Sequence, residues 1–250
     1  MKTRKIKYLF WTLAVLFLTG SAVFVMLSPV FRINKISIAG INRITRQDVL
    51  EKLPFAEGDH ILFAGKKRAR EILVADGRIA DVEIHRRFPN EIDIFIGEEY
   101  PELLLSAGKV WGLTGEGKLL PIDNPFEIPS LPILSGIDKE AVLIPYRRPE
   151  SEMLERGLDF WRQLKGTSPQ FLDKVSEIHI DENDGIALVL TGDGLLAEFD
   201  CDDCRAEILR LVAVLEDLGA ERSEVSIIDL RYSDQAVVHL FNPKNNKPTG

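Results

Sequence analysis

Hydrophobic positions are distributed along the chain in three different ways. Residues 8–27, YLFWTLAVLFLTGSAVFVML, form one apolar run without a charged side chain. At about 1.5 Å per residue, twenty helical residues cover roughly 30 Å, the thickness of a bilayer's hydrocarbon core, and a helix pairs its own backbone groups there. From residue 31 to 98, short alternating stretches flank two helical patterns. From 99 to 241 alternation dominates, interrupted by two amphipathic helices. Residues 242–250, NPKNNKPTG, have no apolar side chain to bury and are expected to be disordered.

Within 31–98, Ile36 and Ile38 alternate with Lys35 and Ser37 in a half-buried strand ending near Gly40. Thr45 followed by Asp48 is a capping-box pattern opening a helix whose Val49, Leu50 and Leu53 share a face. A second helix spans Lys66 to Ala75, with Ala69, Ile72 and Leu73 inward and the basic residues Lys66, Lys67, Arg68 and Arg70 toward water. Val82 and Ile84, a Phe88-Pro89-Asn90-Glu91 turn, then Ile92, Ile94 and Ile96 describe an antiparallel hairpin with one apolar face. Strand–helix–helix–strand–strand predicts two helices covering one side of a three-stranded sheet.

Beyond residue 98 the short runs VWGLTGEGKLL, VSEIHI, IALVLT, LLAEFD, EVSIIDLRY and AVVHLF read as strands. A helix is expected from Glu150 to Lys165, with Leu154, Leu158, Trp161 and Leu164 inward and Gly166 as its stop. Another is expected from Arg205 to Leu218, capped by Asp202 or Asp203, ended by Gly219, with Ile208, Leu211, Val212, Leu215 and Leu218 as its buried stripe. The fold class is therefore α+β: one N-terminal transmembrane helix, a β-α-α-β-β domain, and a mostly antiparallel β domain with two main helices.

Charge gives the first segment an orientation. Lys2, Arg4, Lys5 and Lys7 precede the apolar run, and positive flanks stay on the cytoplasmic side. The expected organisation is a cytoplasmic tail at 1–7, a membrane span at 8–27 and two extracytoplasmic regions, with a cleaved signal peptide as the alternative. Taking those four from 31 basic residues leaves 27 against 39 acids, a net of −12 outside the tail. Such a domain repels nucleic acid and should not adhere electrostatically to anionic lipid.

Candidate chemistry is sparse. His60, His85, His179 and His239 form no short metal-binding spacing, and neither a nucleophile elbow nor a phosphate-binding loop occurs. Gly112, Gly115 and Gly117 belong to a strand turn, and Asp181-Glu182-Asn183-Asp184-Gly185 departs from calcium-loop spacing, with Gly192 where a Glu is required. No cofactor, metal or small-molecule substrate is expected. Cys201 and Cys204 form a CxxC before a helix. The two acids between them oppose thiolate formation, which favours a local disulfide or a structural pair over redox chemistry.

The ordered set FRINKISIAGINRIT, TRQDVLEKL, VEIHRRFPNEIDIFIGEEYP, VWGLTGEGKLLPID, LPILSG and VSIIDLRYSDQAVV resembles the bacterial cell-division family FtsQ/DivIB, and the first unit is similar to a POTRA domain. The resemblance implies a non-enzymatic, bitopic scaffold at the division septum. It would bind FtsB- and FtsL-like partners through its last strands and the helix before them, other septal proteins through the span and POTRA domain, and the membrane through 8–27. By matched position, Arg231, Tyr232 and Ser233 would be contact residues. Ile228, Leu230 and Tyr232 share a strand face by alternation, with Ile228 and Leu230 read as core. Asp234-Gln235 stands where relatives often have a glycine-containing turn. Partner binding would proceed by β-addition, with Arg231 meeting a partner carboxylate. A POTRA-bearing assembly or secretion component, a thiol–disulfide protein using Cys201 and Cys204, and a ligand-sensing ectodomain are the competing readings.

Overall fold

The alternation of Ile92, Ile94 and Ile96 determines the centre of the first folded unit. In the computed structural model, which describes residues 2–26, 28–122, 130–137, 142–181 and 185–241, these three side chains are buried on the middle strand of a three-stranded sheet. Its strands are β1 (Lys35–Ala39), β2 (Ile79–Arg87) and β3 (Glu91–Glu98), in the order β1-β3-β2. β3 runs parallel to β1 and antiparallel to β2. The Phe88–Pro89 peptide in the β2–β3 turn is cis.

Helices α2 (Arg46–Lys52) and α3 (Lys66–Val74) cover the apolar face, contributing Val49, Ala69 and Leu73 to one core with Ile36, Val82 and Ile94. Thr45 and Asp48 form the reciprocal capping box their spacing predicts. Between β1 and α2 the chain doubles back so closely on β3 that a Cβ at Gly40, φ +83°, would overlap the carbonyl oxygen of Ile96. Glu98, next inward on β3 after Ile96, closes this loop: its carboxylate accepts from the backbone N–H of Asn42 at 2.7 Å, Arg43 at 3.0 Å and Ile44 at 2.9 Å. Burial works against that charge, but the three donors outweigh it and hold the carboxyl below its ordinary value.

The N-terminal segment is helical over α1 (Lys2–Met26). Among the described residues no helix is long and apolar enough to cross a membrane. The expected span 8–27 includes Leu27, and the side chains of Tyr8, Leu9, Ala22, Val25 and Met26, which lie outside those described.

The second unit, from Tyr100 onward, is built on nine strands among the described residues. These are β4 (Leu103–Ala107), β5 (Lys109–Leu113), β6 (Leu119–Leu120), β7 (Ile133–Ser135), β8 (Val175–Ile180), β9 (Ile186–Leu190), β10 (Leu196–Phe199), β11 (Val225–Asp229) and β12 (Val237–Leu240). Their order is β12-β11-β10-β9-β8-β7-β4-β5-β6, with parallel pairs at β4–β7, β7–β8 and β10–β11. Helices α4 (Glu152–Thr167) and α5 (Arg205–Leu218) supply Leu154, Leu158, Trp161, Leu164, Ile208 and Leu211 to the core beside the sheet. Val212, Leu215 and Leu218 are only partly buried against it.

Two sequence expectations are corrected here. α4 passes through Gly166 to Thr167; Pro169 biases Ser168 out of the helical region (φ −144°, ψ 69°), and the helix ends there. Neither Asp202 nor Asp203 is the N-cap of α5. Cys204 takes that place and makes no side-chain cap, its N–H donating instead to Gln163 Oε1 at 2.6 Å. Gly219 does end α5, at φ +47°. The expected tail 242–250 and the Asp181–Gly185 turn between its ends lie outside the described residues.

Candidate functional site

An open-ended sheet has two outer strands, and each exposes backbone N–H and C=O groups unless something covers it. At one end, β6 is covered. Tyr146 N–H donates to Leu119 O at 2.7 Å, and Leu119 N–H donates to Arg147 O at 3.0 Å. At the other end lies β12, paired on one side with β11 from Asp229↔Val237 to Val225↔Leu240. Phe241 N–H donates to Glu224 O at 2.6 Å and His239 O accepts from Ser226 Oγ at 3.1 Å. Residues 239 and 241 therefore turn their backbone groups inward, and alternation turns those of Val238 and Leu240 outward. Among the described residues nothing pairs with that outer edge. Leu240 and Phe241 are exposed beside it.

The approach to β12 is held from α5. Arg210 donates through Nη1 to Tyr232 O at 2.7 Å and Gln235 O at 3.3 Å, and through Nη2 to Ser233 O. One guanidinium thus satisfies three carbonyls of the turn between β11 and β12. The turn contains Asp234-Gln235, and these carbonyl contacts need no glycine.

The sequence-derived site residues are distributed unevenly. Ile228 and Leu230 are buried, as core packing requires. Tyr232 does not continue their face. β11 ends at Asp229, the chain turns, and Tyr232 is 51% exposed. Ser233 is exposed, its carbonyl bound by Arg210.

Arg231 is largely engaged within the chain. Nε meets Asp229 Oδ1 at 2.8 Å, and Nη2 meets Asp229 Oδ2 at 2.6 Å and Glu198 Oε2 at 2.9 Å. Its hydrogen bonds and charge hold the buried Asp229 carboxyl below its ordinary value. Arg231 Nη1 makes no bond among the described residues. Nothing in the sequence marked Arg210, whose partners lie 22 to 25 residues ahead in the chain.

Cys201 and Cys204 are joined in a disulfide at the start of α5. Gln163 of α4 braces it, accepting from Cys204 N–H and donating to Asp202 O at 2.8 Å, while Arg156 meets Asp202 at 3.1 Å.

The three-stranded β-α-α-β-β unit and the larger sheet after it are each matched by a family model. The POTRA domain, FtsQ-type, family model matches residues 31–99, and the model for the cell division protein FtsQ/DivIB C-terminal region matches 105–231. The cell division protein FtsQ of Geotalea daltonii is 25% identical over 211 residues, covering 83% of this chain and 75% of its own. That of Anaeromyxobacter sp. strain K is 26% identical over 225 residues, covering 89% and 76%. The cell division protein DivIB of Bacillus cytotoxicus is 30% identical over 168 residues, covering 66% and 60%. The chain belongs to the FtsQ/DivIB family of cell division proteins. The C-terminal match ends at Arg231, so β12 lies beyond it.

Proposed function

We propose that this chain is a non-enzymatic, single-pass scaffold of the bacterial division machinery that adds a partner strand to the outer edge of β12. Residues 1–7 form the cytoplasmic tail and 8–27 the span. Residues 31–98 and 99–241 form two extracytoplasmic regions at the division septum. The partners are FtsB- and FtsL-like proteins, recruited to regulate septal wall synthesis. What supports the span is the uncharged run of twenty residues with basic residues before it, together with large exposed apolar side chains on α1, among them Phe10, Leu16, Phe17 and Phe24.

The observation carrying the partner assignment is the asymmetry of the sheet edges: β6 is covered and β12 is open. An extended partner would bond the outward groups of Val238 and Leu240. Tyr232 and Ser233, exposed in the turn that leads into β12, would then give an aromatic contact and a hydroxyl. Arg231 Nη1, although its guanidinium is held toward Glu198 of β10, would be a charge-assisted donor for a carboxylate on a part of the partner that extends past the turn.

Proline at 238 tests the geometry. Val238→Pro removes an outward N–H while leaving the inward pairing of 237 and 239. Together with Tyr232→Ala, it is expected to weaken FtsB/FtsL-like partner binding about tenfold or more, in a protein whose cooperative urea transition shows that it is still folded although Val238 packs partly against the core. In-cell crosslinking from position 232 should capture the same partner. Full affinity in a folded Val238→Pro protein would overturn β-addition at β12; full affinity in folded Tyr232→Ala would overturn the site assignment.

A further inference from the structure

The first unit has an exposed apolar and basic end that neither its fold nor the β12 reading uses. Residues after α1 lie against the segment leading into α3. Ile61 N–H donates to Phe31 O and Ile33 N–H to Asp59 O, both at 2.8 Å. The Phe31, His60 and Phe63 rings follow one another at 6.1 and 5.1 Å. From β2, Arg86 reaches Leu62 O at 3.2 Å and also Ala64 O, fixing the loop that carries Phe63. The β2–β3 turn lies at the same end of the sheet, with Asn34 N–H donating to Asn90 O at 2.8 Å. Three apolar side chains are held outward at this end: Phe63 is 71% exposed, Phe88 59% and Val30 57%.

The charges beside them break a local rule. α3 opens with Lys66-Lys67-Arg68, has no acid in its first turn, and starts at Gly65 without a side-chain cap. Three cations at the positive end of a helix dipole are unfavourable by themselves and become favourable when an anion faces them. Among the described residues Lys67 meets only Glu71, at 4.0 Å on the exposed surface. Lys66, Arg68 and the nearby Arg32 have no ion pair among the described residues. The guanidinium of Arg86 is met by carbonyls, and its Nε is buried without a partner. No acid occurs from His60 to Arg70, and none precedes Asp48 in the chain.

We propose that Val30, Phe63 and Phe88 with Lys66, Lys67 and Arg68 form a foot by which the first folded unit rests on the anionic bilayer surface. The proposal depends on reading 8–27 as a span. Val30 follows Met26 by four residues, which an extended chain carries no farther than about 14 Å, so this end stays beside the lipid where the helix emerges. Apolar side chains enter the interface while the cations meet lipid phosphates. The net charge of −12 outside the basic tail is repelled by the same surface, so contact is confined to this end.

The test uses the full-length chain in phosphatidylcholine vesicles with and without phosphatidylglycerol, carrying one environment-sensitive label on Phe63→Cys, Phe88→Cys, Ala80→Cys or Phe17→Cys. Nitroxide lipids should quench the labels at 63 and 88 when phosphatidylglycerol is present, and leave the label at 80, near the other end of the sheet, unquenched. In the labelled Phe63→Cys chain, Lys66→Glu, Lys67→Glu and Arg68→Glu should each reduce the docked-to-free ratio at least about fivefold. The exposed Lys67→Gln should do so without perturbing the fold. If positions 63 and 88 are no more quenched than 80 while 17 is quenched, the foot is overturned and the span stands. If 17 is also unquenched, the span reading itself fails.

Discussion

Arg231 grips Asp229 at two points, Nε to Oδ1 at 2.8 Å and Nη2 to Oδ2 at 2.6 Å, and so lies across the end of β11. The contact fixes where the strand stops and which way the following residues turn. It also makes Arg231 a structural residue as well as a candidate contact, so charge reversal at this position changes two things at once.

Arg231→Glu should therefore destabilise the protein before any effect on partners is measured. It faces Asp229 and Glu198 with a third carboxylate and leaves Asp229 buried without its cation. The expected loss is about 1–3 kcal/mol in urea unfolding at neutral pH. Asp229→Asn in the same chain should restore part of it, since it removes one of the repelling charges; strict additivity in the double-mutant cycle would show that the two residues do not interact.

Acid should weaken both folded units. Glu98 and Asp229 are held below their ordinary values in the folded state, and Asp76, bonded to Arg78 and Lys52, is lowered as well. A group whose folded pKa is depressed adds stability above its unfolded value, near 4, and that stability is lost as pH falls through the folded value. Urea midpoints should be flat from about pH 7 to 5 and fall below about pH 4. Glu98→Gln should lower the unfolding free energy at pH 7 by about 1–3 kcal/mol and show a shallower acid decline. A parallel decline in the variant would mean that Glu98 has no part in it.

Gly40 and Gly192 separate backbone strain from steric overlap. Both have positive φ, +83° and +92°, but a Cβ at Gly40 overlaps Ile96 O whereas one at Gly192 meets nothing within 4 Å. Gly192→Ala should cost about 1–2 kcal/mol. Gly40→Ala should cost more, because the loop must also move off β3 and disturb the donors to Glu98. Equal losses in thermal unfolding would mean that the loop yields freely.

Removing the Cys201–Cys204 disulfide should have a modest effect. It closes a very short loop, for which the chain-entropy estimate is about 2 kcal/mol. Cys201→Ser with Cys204→Ser should lower the urea midpoint accordingly and leave partner affinity unchanged. Loss of partner binding in a folded double variant would return thiol chemistry to consideration.

Local patterns were readable where neighbours in sequence decide the structure. The Thr45–Asp48 box, the alternation through Ile92, Ile94 and Ile96, and the buried face of α4 all follow from spacing. The same alternation places Glu98 inward, but its three donors come from a loop more than fifty residues earlier, so the reason for an acid there was not legible. Gly166 looked like a helix stop, yet Pro169 sets the end because its ring restricts the preceding residue. Extrapolating alternation from Ile228 to Tyr232 failed because Asp229, Arg231 and Arg210 bend the chain after Asp229. The open edge at β12 depends on strand order and on Tyr146 and Arg147 covering β6, and neither is encoded in a local window.

The parallel pairing of β1 with β3 has a mechanical consequence. The chain enters the first unit at the start of β1 and leaves it at the end of β3, and these two strands are matched from Lys35↔Glu91 to Ala39↔Phe95. Tension applied between an anchored N-terminal helix and a captured partner would slide the strands past each other and load all five matched positions together. An assembly under load would meet shear resistance at this point, where a hairpin pulled from its open ends would unzip one pair at a time.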